Sequence, residues 1–273
     1  MPLHPPTIRH RTNRLSNAEP EIDWEQVRAS FSWAALRREL WGCETGSGNI
    51  ATLAVDRHAL GDRRDRIALR CVGGERAPSA ITFGELARRT NRFANVLVGL
   101  NAAPGTRVFV LLGRRAELFE AVLGALKAQC VVSVLFAAFG PEPLRVRLQL
   151  GRAAMLVTTE ALYRHRIASM RHELPHLRQV LLLDTQAGGA LPDGTQRYDD
   201  LLAKASDEYV VAATAGETPA LLHFTSGTTG TPKGALHVHD AALMHFLTGR
   251  FALDLRADDT YWCTADPGWV TGV

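Results

Sequence analysis

The chain has 273 residues, a formal net charge of +3 and 46% hydrophobic residues. That length allows one or two domains with a sizeable core, and so small a charge offers no basis for a nucleic-acid or membrane partner. Cys43, Cys71, Cys130 and Cys263 form no C-x-x-C pair and read as reduced residues of a cytoplasmic protein, while the longest apolar run, 130–139, is about half of what a bilayer span needs.

Residues 1–22 read as a flexible tail. Arg9, Arg11 and Arg14 would also suit a transit peptide, but Pro2, Pro5 and Pro6 favour disorder. Residues 23–273 read as one α/β domain. It opens with an appendage over 23–41 that carries Trp24, Trp33 and Trp41, followed by a loop over 42–48 and a helix over 49–58. Residues 67–72 alternate apolar and polar side chains, as a half-buried strand does. Phe83, Leu86, Ala87, Thr90, Phe93, Ala94 and Leu97 recur at helical spacing and predict an amphipathic helix. The continuous apolar run 108–112 then predicts a strand buried on both faces. A second helical stripe (Leu118, Phe119, Val122, Leu123, Leu126) leads to a strand over 131–135. Gly140-Pro141 breaks the chain before a helix over 144–150, and further strands are predicted at 155–157 and 180–183. Strands alternating with helices imply parallel βαβ units. Gly188-Gly189 and Pro192-Asp193-Gly194 mark a surface turn.

The most informative stretch comes next: Thr225-Ser226-Gly227-Thr228-Thr229-Gly230-Thr231-Pro232-Lys233-Gly234. Gly227 and Gly230 let the backbone fold tightly around a ligand, and its N–H groups can converge on anionic oxygens. Ser226, Thr228 and Thr229 add hydroxyl donors, and Lys233 adds a charge. The pattern is not the G-x-x-x-x-G-K-[ST] loop of NTPases. Counting from Gly227, Pro232 falls where the second glycine should be, and Gly234 replaces the Ser or Thr after the lysine. The flanks 221–224 and 235–238 both read as strands, so the element is strand–loop–strand. Asp240 is placed to cap a following helix through Ala241, Leu243, Met244 and Leu247. A strand over 260–264 would deliver Asp266-Pro267-Gly268-Trp269 to the carboxyl end of a sheet, where open α/β proteins bind ligands. His237 and His239 stand two apart, a spacing that puts both on one strand face, but no third metal ligand is near.

Residues 225–234 resemble the signature loop of the adenylate-forming superfamily of acyl-CoA synthetases, adenylation domains and luciferases. The stretch 261–272, Tyr-Trp-Cys-Thr-Ala-Asp-Pro-Gly-Trp-Val-Thr-Gly, resembles the matching segment of AMP-forming acetyl-CoA synthetases and their short-chain relatives. Residues 81–86 resemble the family's first core motif and Leu126-Lys127-Ala128 its second, where Gln129 and Cys130 replace the usual Gly-Ala. The resemblance runs from about Trp33 onward.

The resemblance implies stacked, mostly parallel βαβ sheets of the family's N-terminal, AMP-binding domain, incomplete at 273, with the small C-terminal domain absent. It implies ATP, coenzyme A and a small carboxylate as substrates, with Mg²⁺ held by residues beyond 273. By resemblance, Thr225, Ser226, Gly227, Thr228, Thr229, Gly230 and Lys233 hold the phosphates, with Lys233 catalytic as a point charge. Trp269, Val270, Thr271 and Gly272 line the acyl and thiol pocket. Arg164 and Arg166 stand where relatives contact the coenzyme A nucleotide, or are solvated helix residues. Residues 1–273 alone are expected to show little or no ligase activity. A catalytically dead nucleotide-binding fragment, and an adenylation domain serving a carrier protein, are the alternative readings. Oligomeric state and acyl-chain length are left open.

Overall fold

The computed structural model describes residues 24–42, 48–72, 79–225 and 230–269, so the tail and residues 43–47 lie outside it. The chain divides into two units, 1–44 and 45–273. In the first, α1 (Trp24–Ser30) precedes α2 (Trp33–Trp41). Ser32 caps α2 by accepting from the Ala35 N–H at 3.1 Å, and Gly42 ends it in the left-handed region at φ 75°, where glycine carries no Cβ penalty.

The second unit begins with a widened helical turn over Thr52–Asp56 that runs into α3 (Arg57–Ala59). A two-stranded antiparallel ribbon follows, β1 (Ile67–Cys71) and β2 (Ser79–Thr82). Thr82 then caps α4 (Phe83–Gly99), its hydroxyl accepting from the Glu85 N–H at 3.2 Å. The βαβ series continues through β3 (Arg107–Leu111), α5 (Ala116–Lys127), β4 (Val131–Val134), α6 (Pro141–Leu150) and β5 (Met155–Thr159). From α7 (Glu160–Leu162) the chain coils irregularly over Tyr163–Ile167 and Ala168–Glu173 to β6 (Gln179–Leu183). Short β7 (Gln196–Arg197) and α8 (Tyr198–Lys204) precede the hairpin of β8 (Pro219–Thr225) and β9 (Lys233–Val238), and α9 (Ala241–Leu247) follows.

Among the described residues the main sheet has seven strands in the order β7-β6-β5-β3-β4-β8-β9. All neighbouring pairs are parallel except the β8–β9 hairpin. Alternate residues of the central strands feed two cores. Val108, Val110 and Leu112 pack with α4 and α5 on one side. Phe109, Leu111 and Leu135 pack with Leu144 and Leu148 of α6 on the other. The connection leaving β3 therefore crosses one face and the connection leaving β4 crosses the opposite face. In open α/β sheets such a divergence opens a crevice at the carboxyl edge, the position where they take ligands.

Close approach of α4 and α5 depends on Gly124, where a Cβ would stand 2.7 Å from the Thr90 carbonyl oxygen. Lys127, fully buried at the end of α5, donates to Asp56 at 2.5 Å and to Asn91 at 2.6 Å. The substitution at Gln129 has a backbone consequence. Its φ is 55°, a left-handed position that suits glycine and costs another residue roughly 1 kcal/mol. The Gln129 amide offsets this by donating to the Ala213 carbonyl at 2.9 Å and the Thr214 hydroxyl at 3.0 Å. Cys130 is buried beside it, and burial pushes its thiol up to about 12.

Three local expectations are corrected. Residues 260–264 form no strand, because no sheet neighbour pairs with them among the described residues. Asp240 occupies the N-cap position of α9 but makes no capping bond, since its own backbone is already helical at φ −64°. His237 and His239 share no strand face, because β9 ends at Val238. His239 turns inward instead, and its Nδ1 accepts from the Ile50 N–H at 3.0 Å.

Candidate active site at the carboxyl edge of the sheet

β8 lies parallel to β4, so its last residue, Thr225, emerges at the same edge as the crevice. Thr225 pairs in register with Lys233, the first residue of β9. These two exposed residues close the base of the signature loop. Gly230 has φ 83° with open space around its Cβ position, a conformation that favours glycine. Ser226, Gly227, Thr228 and Thr229 lie outside the described residues, as do Val270, Thr271 and Gly272.

Strand alternation sorts the hairpin's side chains. Leu222 and Phe224 pack toward the α6 side of the sheet, beside Phe109. His223 and His237 meet edge to face with ring centroids 5.4 Å apart. Burial chiefly, and the neighbouring His237 and His245, hold His223 below its ordinary pKa. Among the described residues no three His, Cys, Asp or Glu side chains converge as a metal site.

Phe224 also lines a cavity of about 120 Å³ together with Val134, Leu135, Phe136, Phe139, Arg147 and the Gly268-Trp269 dipeptide. The turn carrying that dipeptide is tightly built. Asp266 Oδ1 accepts from the Gly268 N–H at 2.7 Å, and the Asp266 carbonyl accepts from the Trp269 N–H at 2.9 Å. Gly268 then lies directly against the β4 loop. A Cβ there would stand 2.2 Å from the Phe136 nitrogen, so only glycine permits the approach. The rings of Phe136 and Trp269 sit 6.1 Å apart. Arg114, on the loop leaving β3, donates to the Thr264 carbonyl. Arg114 thus ties the end of the segment expected to be a strand to the loop leaving β3, and Gly268 and Trp269 tie the turn after it to Phe136.

The two arginines of the 160s diverge. Arg164 is half exposed and ion-pairs with Glu160 one turn away. Arg166 instead donates to the Phe139 carbonyl. Sequence reading missed Arg114, Phe136, Phe139 and Arg147. The position of 136–139 just past a buried parallel strand was a usable signal. Nothing local marks the two arginines.

A mostly parallel sheet with helices on both faces and an antiparallel hairpin at one edge defines an open α/β protein, and the comparisons assign its family. Residues 55–273 match the family described as AMP-binding enzyme, and the chain belongs to that family. It is 38% identical over 253 residues to an acetyl-coenzyme A synthetase of Bacillus subtilis, covering 92% of this chain and 43% of that protein. To the acetyl-coenzyme A synthetase of Escherichia coli it is 32% identical over 273 residues, covering 92% and 41%. A crystal structure of Brucella canis acyl-CoA synthetase superposes with a TM-score of 0.81 at 30% identity, over 91% of this chain and 44% of that one. The chain therefore spans less than half the length of the relatives it matches. No helix among the described residues is long and apolar enough to cross a membrane.

Proposed function

We propose that this chain supplies the nucleotide-activating part of an AMP-forming acid–CoA ligase acting, in the cytoplasm, on acetate or another short-chain carboxylate. The observation that carries the reading is a convergence. Phe224, next to Thr225 of the signature loop, and Trp269, next to Val270 of the second motif, line one cavity. This nearness of Phe224 to Trp269 supports a reading in which the two motifs serve one site.

In this reading a carboxylate oxygen attacks the α-phosphorus of ATP, and the bond to the β-phosphate oxygen breaks to release pyrophosphate. The thiolate of coenzyme A then attacks the acyl carbon and expels AMP. The first step brings two anions together, so positioning and charge neutralisation carry it. Thr225, Ser226, Gly227, Thr228, Thr229 and Gly230 surround the β- and γ-phosphates, and Lys233 places its ammonium on a phosphate oxygen. Trp269, Val270, Thr271 and Gly272 border the acyl group and the incoming thiol. Mg²⁺ would accompany the nucleotide and neutralise phosphate charge, and among the described residues no group of three His, Cys, Asp or Glu side chains converges to hold it.

Each charge-stabilising group of such a site is worth ~10²–10³ in rate, so binding and turnover are tested separately. Calorimetry with ATP and an acetyl-adenylate analogue tests the binding, and acetate-dependent ATP–pyrophosphate exchange tests the chemistry. Absence of binding to either ligand refutes the reading.

A further inference from the structure

The loop between β4 and α6 forms one wall of the cavity, and two arginines from different elements hold the same residue of it. The Phe139 N–H closes a turn onto the Phe136 carbonyl at 3.0 Å. The Phe139 carbonyl accepts from Arg166 Nη1, which comes from the irregular turn after α7. The Phe139 ring lies under the Arg147 guanidinium, whose carbon is 4.3 Å from the ring centroid. Arg147 is itself anchored on α6, where its Nη1 donates to the Pro143 carbonyl at 3.0 Å. From Phe139 the contact passes edge to face to Phe136 at 5.2 Å. Phe136 is the residue whose backbone receives Gly268 and whose ring faces Trp269.

We propose that Arg147 and Arg166 are positioning residues: they fix the 136–139 loop so that the wall facing Trp269 keeps its shape for the acyl-transfer half of the reaction. Arg166 acts through a charge-assisted bond to a backbone oxygen, and Arg147 through stacking of a planar cation on an aromatic face. Lysine supplies the charge, but it offers no plane to stack on Phe139 in place of Arg147, and its shorter stem does not reach the position of Arg166 Nη1. This separates the proposal from a purely electrostatic role on an anionic ligand, which lysine would largely preserve. Arg164, which makes no contact with this loop in the structure, serves as the control.

The activity readout rests on the ligase reading above, and the exchange readout does not. Hydrogen exchange is measured on the 273-residue chain for Arg166→Gln, Arg166→Lys, Arg147→Lys and Arg164→Gln. The Phe139 amide is expected to exchange about tenfold faster or more in the first three, as the loss of a charge-assisted bond or a stacked cation implies. It is expected to be unchanged in Arg164→Gln. In an active ligase containing these residues, the same three variants raise the KM for coenzyme A about tenfold. Native protection of Phe139 in the arginine-to-lysine variants overturns the proposal, as does full rescue of the coenzyme A KM by lysine. If Arg166→Gln does not fold, the two lysine variants decide the matter alone. Loop loosening in a protein with no ligase activity would leave the positioning role standing and count against the reaction.

Discussion

Gly268→Ala is the smallest change that tests whether the 266–269 turn must lie against the β4 loop. The new Cβ would stand 2.2 Å from the Phe136 nitrogen, 2.4 Å from its Cα and 2.5 Å from the Leu135 carbonyl carbon. All three are backbone atoms just past a strand buried along its whole length, so that side cannot yield. Ordinary carbon contacts begin near ~3.5 Å, and the turn must retreat by about 1 Å. Overpacking a rigid core costs ~1–3 kcal/mol. Here the retreating partner is a turn whose two Asp266 bonds lie within it and move with it, and which is tied to the sheet through Arg114 on Thr264 and the Phe136–Trp269 ring contact. Relief by displacement therefore wins, and the global stability loss should stay below ~1 kcal/mol. The functional loss should be larger, because a misplacement of about 1 Å costs on the order of 10²-fold in rate. Hydrogen exchange at Gly268 and Trp269 measures the displacement, urea unfolding the stability, and thiol-dependent acyl transfer the rate. Native exchange at both amides, together with a native transfer rate, would refute the reasoning.

Three further outcomes are expected. Lys233→Ala should cut acyl-adenylate formation by roughly 10²-fold or more and spare thiolysis of added acyl-adenylate, whereas equal losses in both half-reactions would remove Lys233 from the phosphates. Lys127→Met strands Asp56 beside a buried site and should cost ~3–5 kcal/mol in urea unfolding, with most of it recovered when Asp56→Leu is added; identical losses in the single and double variants would show that the pair is not coupled. Burial lowers His239 from 6.5 to about 4, so between those values the unfolded chain binds a proton that the native one refuses. That contribution to stability is complete above about pH 6.5 and is lost as the pH falls toward 4, with an upper limit of about 3 kcal/mol. His239→Gln should flatten the stability profile over that window relative to wild type, and superimposable profiles would contradict the assignment.

Much of the architecture was legible because its causes are local. The stripe Leu86, Phe93, Ala94 and Leu97 is buried along α4, and the run 108–112 is a strand core buried on both faces. Strand–loop–strand was readable at 221–238 because apolar runs flank glycine and hydroxyl residues. Residues 260–264 misled because an apolar, β-prone composition specifies a strand only where a neighbour offers its hydrogen bonds, and pairing is a property of the sheet. Asp240 misled for a related reason: a capping residue must also adopt an extended backbone, which the tight turn after β9 denies it. Gln129 shows the converse, a residue unsuited to its left-handed backbone and supported by side-chain bonds to residues 213–214.

For the candidate site, the residue types were legible along the chain: hydroxyls, glycines and one lysine at a spacing that excludes the NTPase loop, and a second motif over 261–272. Spacing and backbone freedom are written residue by residue, so they survive reading in one dimension. Three relations emerge from the folded chain alone: Phe224 and Trp269 share a cavity, the backbone of Phe136 requires glycine at 268, and Arg166 binds the wall at Phe139. Those relations follow from the strand order, which sends the β3 and β4 connections to opposite faces and opens the crevice between them. Strand order arises from packing between segments remote in the chain, and no local periodicity encodes it.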